Sequence, residues 1–189
     1  MPAASGARQT DGTLAVTVPR VKAGDMTVPQ SEIRRALPDE AADLSALALR
    51  SKGLWGYDAA FMEACRAALT LDPESVAIFP FYVLDEGGTI TGFYGLSGQP
   101  PRGEIEFLFV EPESVRSGRG ERLARHFLAL ARSLGFEEMD VSADPFAEGF
   151  YVAMGAVRIA EVPSDAIPNR LIPRLRFSLL TDRVAAPSV

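Results

Sequence analysis

Between Gly103 and Gly135 the period of the apolar residues changes once, and that change constrains most of what this chain can become. GEIEFLFVEP (Gly103–Pro112) alternates at first and then turns fully apolar, the pattern of a central strand. Pro112 ends it. From about Gly118 the apolar positions Leu123, Phe127, Leu130 and Leu134 recur at helical spacing, and Gly135 stops the run. A central strand feeding an amphipathic helix calls for a sheet with helices packed against it.

The flanking segments extend that plan. A short strand is expected around Glu32–Ala36. LPDEAADLSALALRSKG reads as a helix, with Pro38 in its first turn, Leu44, Leu47 and Ala48 on one face and Gly53 beyond its end. Asp58 is placed to cap a second helix containing Phe61, Met62, Cys65 and Leu69. After Pro73, SVAIFPFYVLDEGGTITGFYGLSG gives two strand-like runs joined by Asp85-Glu86-Gly87-Gly88, a hairpin signal. Downstream, FEEMDVSA reads as a strand and DPFAEGFYVAMGA as a short helix capped by Asp144, with Pro145 in its first turn. VRIAEV and PRLRFSLL are the last strands, around a proline-containing loop. The order β-α-α-β-β-β-α-β-α-β-β is a mixed α/β domain over residues 30–181. Residues 1–29 read as an arm, although LAVTV (Leu14–Val18) has an edge-strand pattern, and residues 182–189 read as a tail.

Composition narrows the function. Of 189 residues, 47% are hydrophobic and 23% charged, as in ordinary globular domains, and the formal net charge is -6. That charge argues against nucleic-acid binding through Arg116, Arg119, Arg122 and Arg125, because a phosphate backbone favours a basic surface. No apolar run nears the ~20 residues of a bilayer span. The N-terminus lacks the apolar stretch of a signal peptide, so a cytoplasmic location is expected. One cysteine and one histidine exclude an internal disulfide and a His/Cys zinc cluster. A hydrolytic triad would have to use His126, which lies in a helical pattern beside arginines with no nucleophile near it.

EPESVRSGRGERLARHF (Glu111–Phe127) is neither a P-loop, which needs a lysine and wider glycine spacing, nor a dinucleotide fingerprint, since Leu123 stands at the third glycine position. Glycines at a helix start leave N–H groups free for an anion. On this stretch alone a plain strand-to-helix turn fits as well.

Taken with its neighbours, the stretch resembles the GCN5-related N-acetyltransferases (GNAT). Val110-Glu111-Pro112 followed by Val115-Arg116-Ser117-Gly118-Arg119-Gly120 is similar to the family's strand and glycine loop. Phe150-Tyr151-Val152-Ala153-Met154-Gly155-Ala156 is similar to its later tyrosine segment. The likeness runs from about Ser31 to Leu180. Two departures stand out: Val115 occupies the usual Gln/Arg position, and Asp144 stands where many members have Asn.

This resemblance implies a mostly antiparallel central sheet with splayed central strands and helices on both faces. It implies direct acetyl transfer from acetyl-CoA to a primary amine of a small molecule or protein, without a metal. Leu108, Phe109 and Val110 would offer backbone groups to the pantetheine. Arg116, Ser117, Gly118, Arg119, Gly120 and Glu121 would hold the pyrophosphate, chiefly through their N–H groups, with Asp144 and Phe150 also on the cofactor side. Tyr151 matches the family's usual general acid, and Glu106 or Glu104 would assist amine deprotonation. Trp55, Tyr57 and Arg170, from the loop between the first helices and from the late loop Ser164–Arg174, would meet the acceptor. A monomer or homodimer is expected, with no nucleic-acid or membrane partner. A non-catalytic acetyl-CoA sensor on the same fold is the alternative.

Overall fold

The computed structural model describes residues 31–180. The expected arm over residues 1–29, LAVTV included, and the tail over 182–189 lie outside the described residues. One sheet of seven strands carries the fold: β1 Ser31–Arg35, β2 Phe81–Glu86, β3 Ile90–Gln99, β4 Arg102–Val110, β5 Glu138–Ser142, β6 Val157–Pro163 and β7 Leu171–Ser178. Their spatial order is β1-β2-β3-β4-β5-β7-β6, antiparallel throughout except for the β4–β5 pair.

Helices α1 (Ala41–Gly53), α2 (Ala59–Cys65) and α3 (Pro73–Ile78) cover one face, and α4 (Arg119–Ser133) and α5 (Glu148–Ala153) the other. On the α4 side Leu123, Phe127, Met139 and Leu175 are fully buried; on the α1 side Leu44, Leu47, Val76 and Phe93 are. Each such side chain contributes roughly 1.5–3 kcal/mol of burial.

Most expected elements are found, with three corrections. SVAIF reads as strand, yet Pro73–Ile78 is the helix α3. The Asp72 carboxylate accepts the Ser75 N–H at 2.8 Å, and Pro73 supplies a first-turn position that needs no donor. That cap outweighs the strand preference of Val76 and Ile78 over so short a run. The second helix ends at Cys65, and a separate 3₁₀ turn carries Ala67–Leu69. The late loop stops at Arg170, because Leu171–Arg174 already pair in β7. The hairpin turn falls where expected: Gly87 and Gly88 have φ of 67° and 88°, and the Asp85 carboxylate accepts the Gly88 N–H.

Two irregularities shape the centre of the sheet. Gly95 pairs with Phe107 but Leu96 with Ile105, so Glu106 is an extra residue bulging from β4. Moreover, β4 and β5 pair only from Arg102 to Glu104 against Glu138 to Asp140, and then part. Gly95 lies at this bulge with the Phe81 ring pressed on it; a Cβ there would sit 2.4 Å from a ring carbon. Gly95→Ala is therefore expected to lose about 2 kcal/mol of stability through overpacking, read as a lower urea midpoint. An unchanged midpoint would mean that Phe81 swings aside freely.

Candidate active site

Where β4 and β5 separate, a cleft of about 1480 Å³ opens between the two helical layers. Beyond Glu104, the edge of β4 that faces β5 has no strand partner among the described residues, so backbone groups from Ile105 to Val110 open onto this space. Leu108, Phe109 and Val110 are among the residues that line it.

At the far end of β4 the chain makes a 3₁₀ turn over Pro112–Ser114 and enters α4. Two residues there take left-handed conformations, Arg116 at φ 64° and Gly118 at 84°. Glycine carries no penalty for this; Arg116 does. Among the described residues, no acceptor meets the N–H groups of Arg116, Gly118, Arg119, Gly120 and Glu121, and the first bond into the helix is Arg122 N–H to Gly118 O at 3.0 Å. Successive free N–H groups at the positive end of a helix dipole form an anion cradle. A Cβ on Gly118 would meet nothing within 4 Å, so this backbone faces open space, while Gly120 lies against the Phe150 ring.

Two side chains expected in the cradle point elsewhere. Ser117 donates its hydroxyl to Ser114 O, and Arg119 pairs with Glu86 at 2.6 Å. Ser117 thus has neither donor free, since Ser114 O also accepts its N–H at 3.2 Å, whereas Arg119 keeps its N–H free. Two arginines that the motif did not single out, Arg125 and Arg132, line the cleft instead. They are seven residues apart, so they share the face of α4 that runs back from the cradle, and helical spacing alone could have identified them.

Tyr151 lies on α5, six per cent exposed, with its ring edge-on to Phe150 and Phe177. It lines the cleft, and its hydroxyl has no hydrogen-bond partner among the described residues. Burial holds the phenol well above its ordinary pKa, so it keeps its proton. The one histidine, His126, is outside the cleft; its Nδ1 meets the Tyr94 hydroxyl at 2.6 Å.

The two candidate carboxylates differ in their partners. Arg174 grips Glu104 with both guanidinium nitrogens, at 3.0 and 3.3 Å, and also reaches Asp140. Glu106, displaced by the bulge, receives only the Ser97 hydroxyl among the described residues and remains exposed. Both line the cleft. Glu106 is the carboxylate with capacity to spare.

Asp144 caps the turn before α5 by accepting the Phe146 N–H at 3.0 Å. Its carboxylate, expected on the cofactor side, is engaged by Lys52 from the last turn of α1 and by the Tyr57 hydroxyl, with Arg170 at 3.6 Å. Burial pushes this carboxyl up, and the Lys52 ammonium, the Phe146 N–H and the Tyr57 hydroxyl more than offset it, holding it below the ordinary range. Burial and the Asp144 charge raise the Tyr57 phenol, which stays neutral. Tyr57 itself does not line the cleft; it stacks on Phe61 at 3.9 Å and ties Asp144 to Arg170. Trp55 and Arg170 do line it. Among the described residues, no group of three or more His, Cys, Asp or Glu side chains is arranged to hold a metal ion, and no helix is long and apolar enough to cross a membrane.

Comparison with known proteins agrees with this architecture. The family model described as Acetyltransferase (GNAT) family matches residues 44–156. A GCN5-related N-acetyltransferase from Rhodopseudomonas palustris superposes with a TM-score of 0.66 at 24% identity, over 82% of this chain and 99% of that one. The PaiA N-acetyltransferase from Thermoplasma acidophilum, crystallised with coenzyme A, gives 0.68 at 15% identity, over 79% and 99%. No curated protein matches the sequence.

Proposed function

Because the chain belongs to the GNAT acetyltransferase family, we propose that it transfers an acetyl group from acetyl-CoA to a primary amine by direct transfer within the cleft. The observation that carries this reading is the meeting, in one cavity, of the free N–H groups at the start of α4, the unpaired edge of β4 and the unpartnered phenol of Tyr151. The cavity exceeds the roughly 300–1,000 Å³ of an ordinary ligand pocket, which leaves room for acetyl-CoA and an acceptor together. The PaiA relative, crystallised with coenzyme A, is in keeping with it.

Acetyl-CoA supplies the activated acyl group; the protein supplies position, charge and protons. The N–H groups of Arg116, Gly118, Arg119, Gly120 and Glu121 hold the pyrophosphate, and Arg132, further along α4, suits a second phosphate, whereas Arg125 is already paired with Glu121 at 2.6 Å. The backbone from Leu108 to Val110 aligns the pantetheine in the way a missing strand would. An amine attacks only as its free base, so a nearby carboxylate must take its proton; Glu106 is assigned this role over Glu104, whose charge Arg174 already matches. Tyr151 then gives its proton to the departing thiolate.

The test is thiol release from acetyl-CoA by the full chain across a panel of primary amines. Amine-dependent release is the expected result. Acetyl-CoA binding without release by any amine would sink this reading in favour of a sensor.

A further inference from the structure

The acceptor end of the cleft carries an imbalance of charge. Lys52 and Arg170 both line it, with side chains only 15% and 19% exposed, and they share a single carboxylate, Asp144. Tyr57 accepts from Arg170 and donates to Asp144 as a neutral phenol, so it cancels nothing. Glu104 is matched by Arg174. Asp165, exposed on the same loop as Arg170, is beyond ion-pair distance of both cations, and no other described carboxylate reaches either. One largely buried positive charge is therefore left facing the cleft, an arrangement that is costly unless an anion joins it.

The two cationic heads are also fixed in place. Arg170 lies 5.1 Å from the centre of the Tyr57 ring and 4.8 Å from that of Phe61; Lys52 lies 5.3 and 5.7 Å from the same rings. Cations held over aromatic faces lose little freedom when a ligand arrives. Beside them Trp55 and Phe146 stack at 5.1 Å, nearly parallel, and both line the cleft although 37% and 57% exposed. Such a pair is an apolar wall awaiting a partner.

We propose that the acceptor is a small amine bearing a carboxylate and an apolar side chain, as in an apolar amino acid: Lys52 and Arg170 take the carboxylate, Trp55 and Phe146 the side chain, and Glu106 receives the amine. This rests on the acetyl-transfer reading above, which it deepens by naming the acceptor's class. Lys52, Arg170 and Glu106 all line the one cleft, so it offers both a cationic and an anionic partner.

The experiment compares pairs differing only in the carboxylate, phenylalanine with phenethylamine and leucine with isoamylamine, at equal free-base concentration, by thiol release. The expected result is a kcat/KM preference for the carboxylated member of about 30-fold or more, the scale of a desolvated charge contact. Arg170→Gln should bring that ratio towards unity, and Lys52→Gln should lower it independently. Release without such a preference in the unaltered protein overturns the acceptor class and leaves acetyl transfer standing. So does a preference that neither substitution moves. No release from any of the four overturns the acceptor class, and the transferase reading falls with it only if the wider amine panel is silent too.

Discussion

Tyr151→Phe is expected to lower kcat by about 1,000-fold, the range of a lost general acid, while acetyl-CoA binding and the melting temperature stay close to those of the unaltered protein. The expectation of unchanged stability follows from the surroundings of the hydroxyl. It has no hydrogen-bond partner among the described residues, so its removal breaks nothing. The ring's contacts with Phe150 and Phe177 survive in phenylalanine. What disappears is a proton held above the ordinary phenol pKa and facing the cleft. A thiolate leaving without it departs as an anion in a partly dry cavity, which raises the barrier. The raised pKa has a second consequence: Tyr151 should impose no alkaline fall in rate below about pH 10. A kcat near the original value would reduce Tyr151 to a packing residue. Lost acetyl-CoA binding would make it a positioning group rather than an acid.

What the sequence reveals and what it hides divide along a physical line. Elements whose signals are local are legible: the glycines of the Asp85–Gly88 turn, the helical spacing of Leu123 and Phe127, the Asp144 cap. The glycine loop is legible as a helix start with free N–H groups, because they are free for a local reason. Helix α3 is missed because two local signals compete, a cap at Asp72 against β-branched residues, and the shorter-range one prevails. The bulge that displaces Glu106 depends on how β3 and β4 register, which no single residue announces, although Gly95 in a strand hints at it. Pairings across long separations are not legible at all. Lys52 and Asp144 are 92 residues apart, and only the packing of α1 on the sheet at β4 brings them together. For the same reason the engagement of Arg119 by Glu86, and of Ser117 by Ser114, shows only once the chain is folded.

Asp144→Ala should cost about 3 kcal/mol of folding stability near neutral pH, because it strands two cations that the fold has largely removed from water. The Asp144 side chain is 10% exposed and serves Lys52, Arg170, Tyr57 and the Phe146 N–H at once. Truncation leaves the Tyr57 hydroxyl without its acceptor and the turn before α5 without its cap. The cleft lets water reach Lys52 and Arg170, which keeps the loss at the lower end for a broken buried pair. The pH dependence has a definite sign. Asp144's carboxyl is held below its ordinary value in the folded chain, so its contribution is fully present above the unfolded pKa of about 3.9 and is lost as pH falls through the folded value. Urea unfolding of the two proteins should therefore show a gap that is constant from neutral pH down to mild acid and narrows below about pH 4. A gap that persists unchanged in strong acid would assign the loss to the missing cap and packing rather than to charge. Since the same carboxylate half-neutralises the proposed acceptor site, the variant also separates two roles: stability lost with Asp144, and anion affinity gained where Lys52 and Arg170 are released to bind.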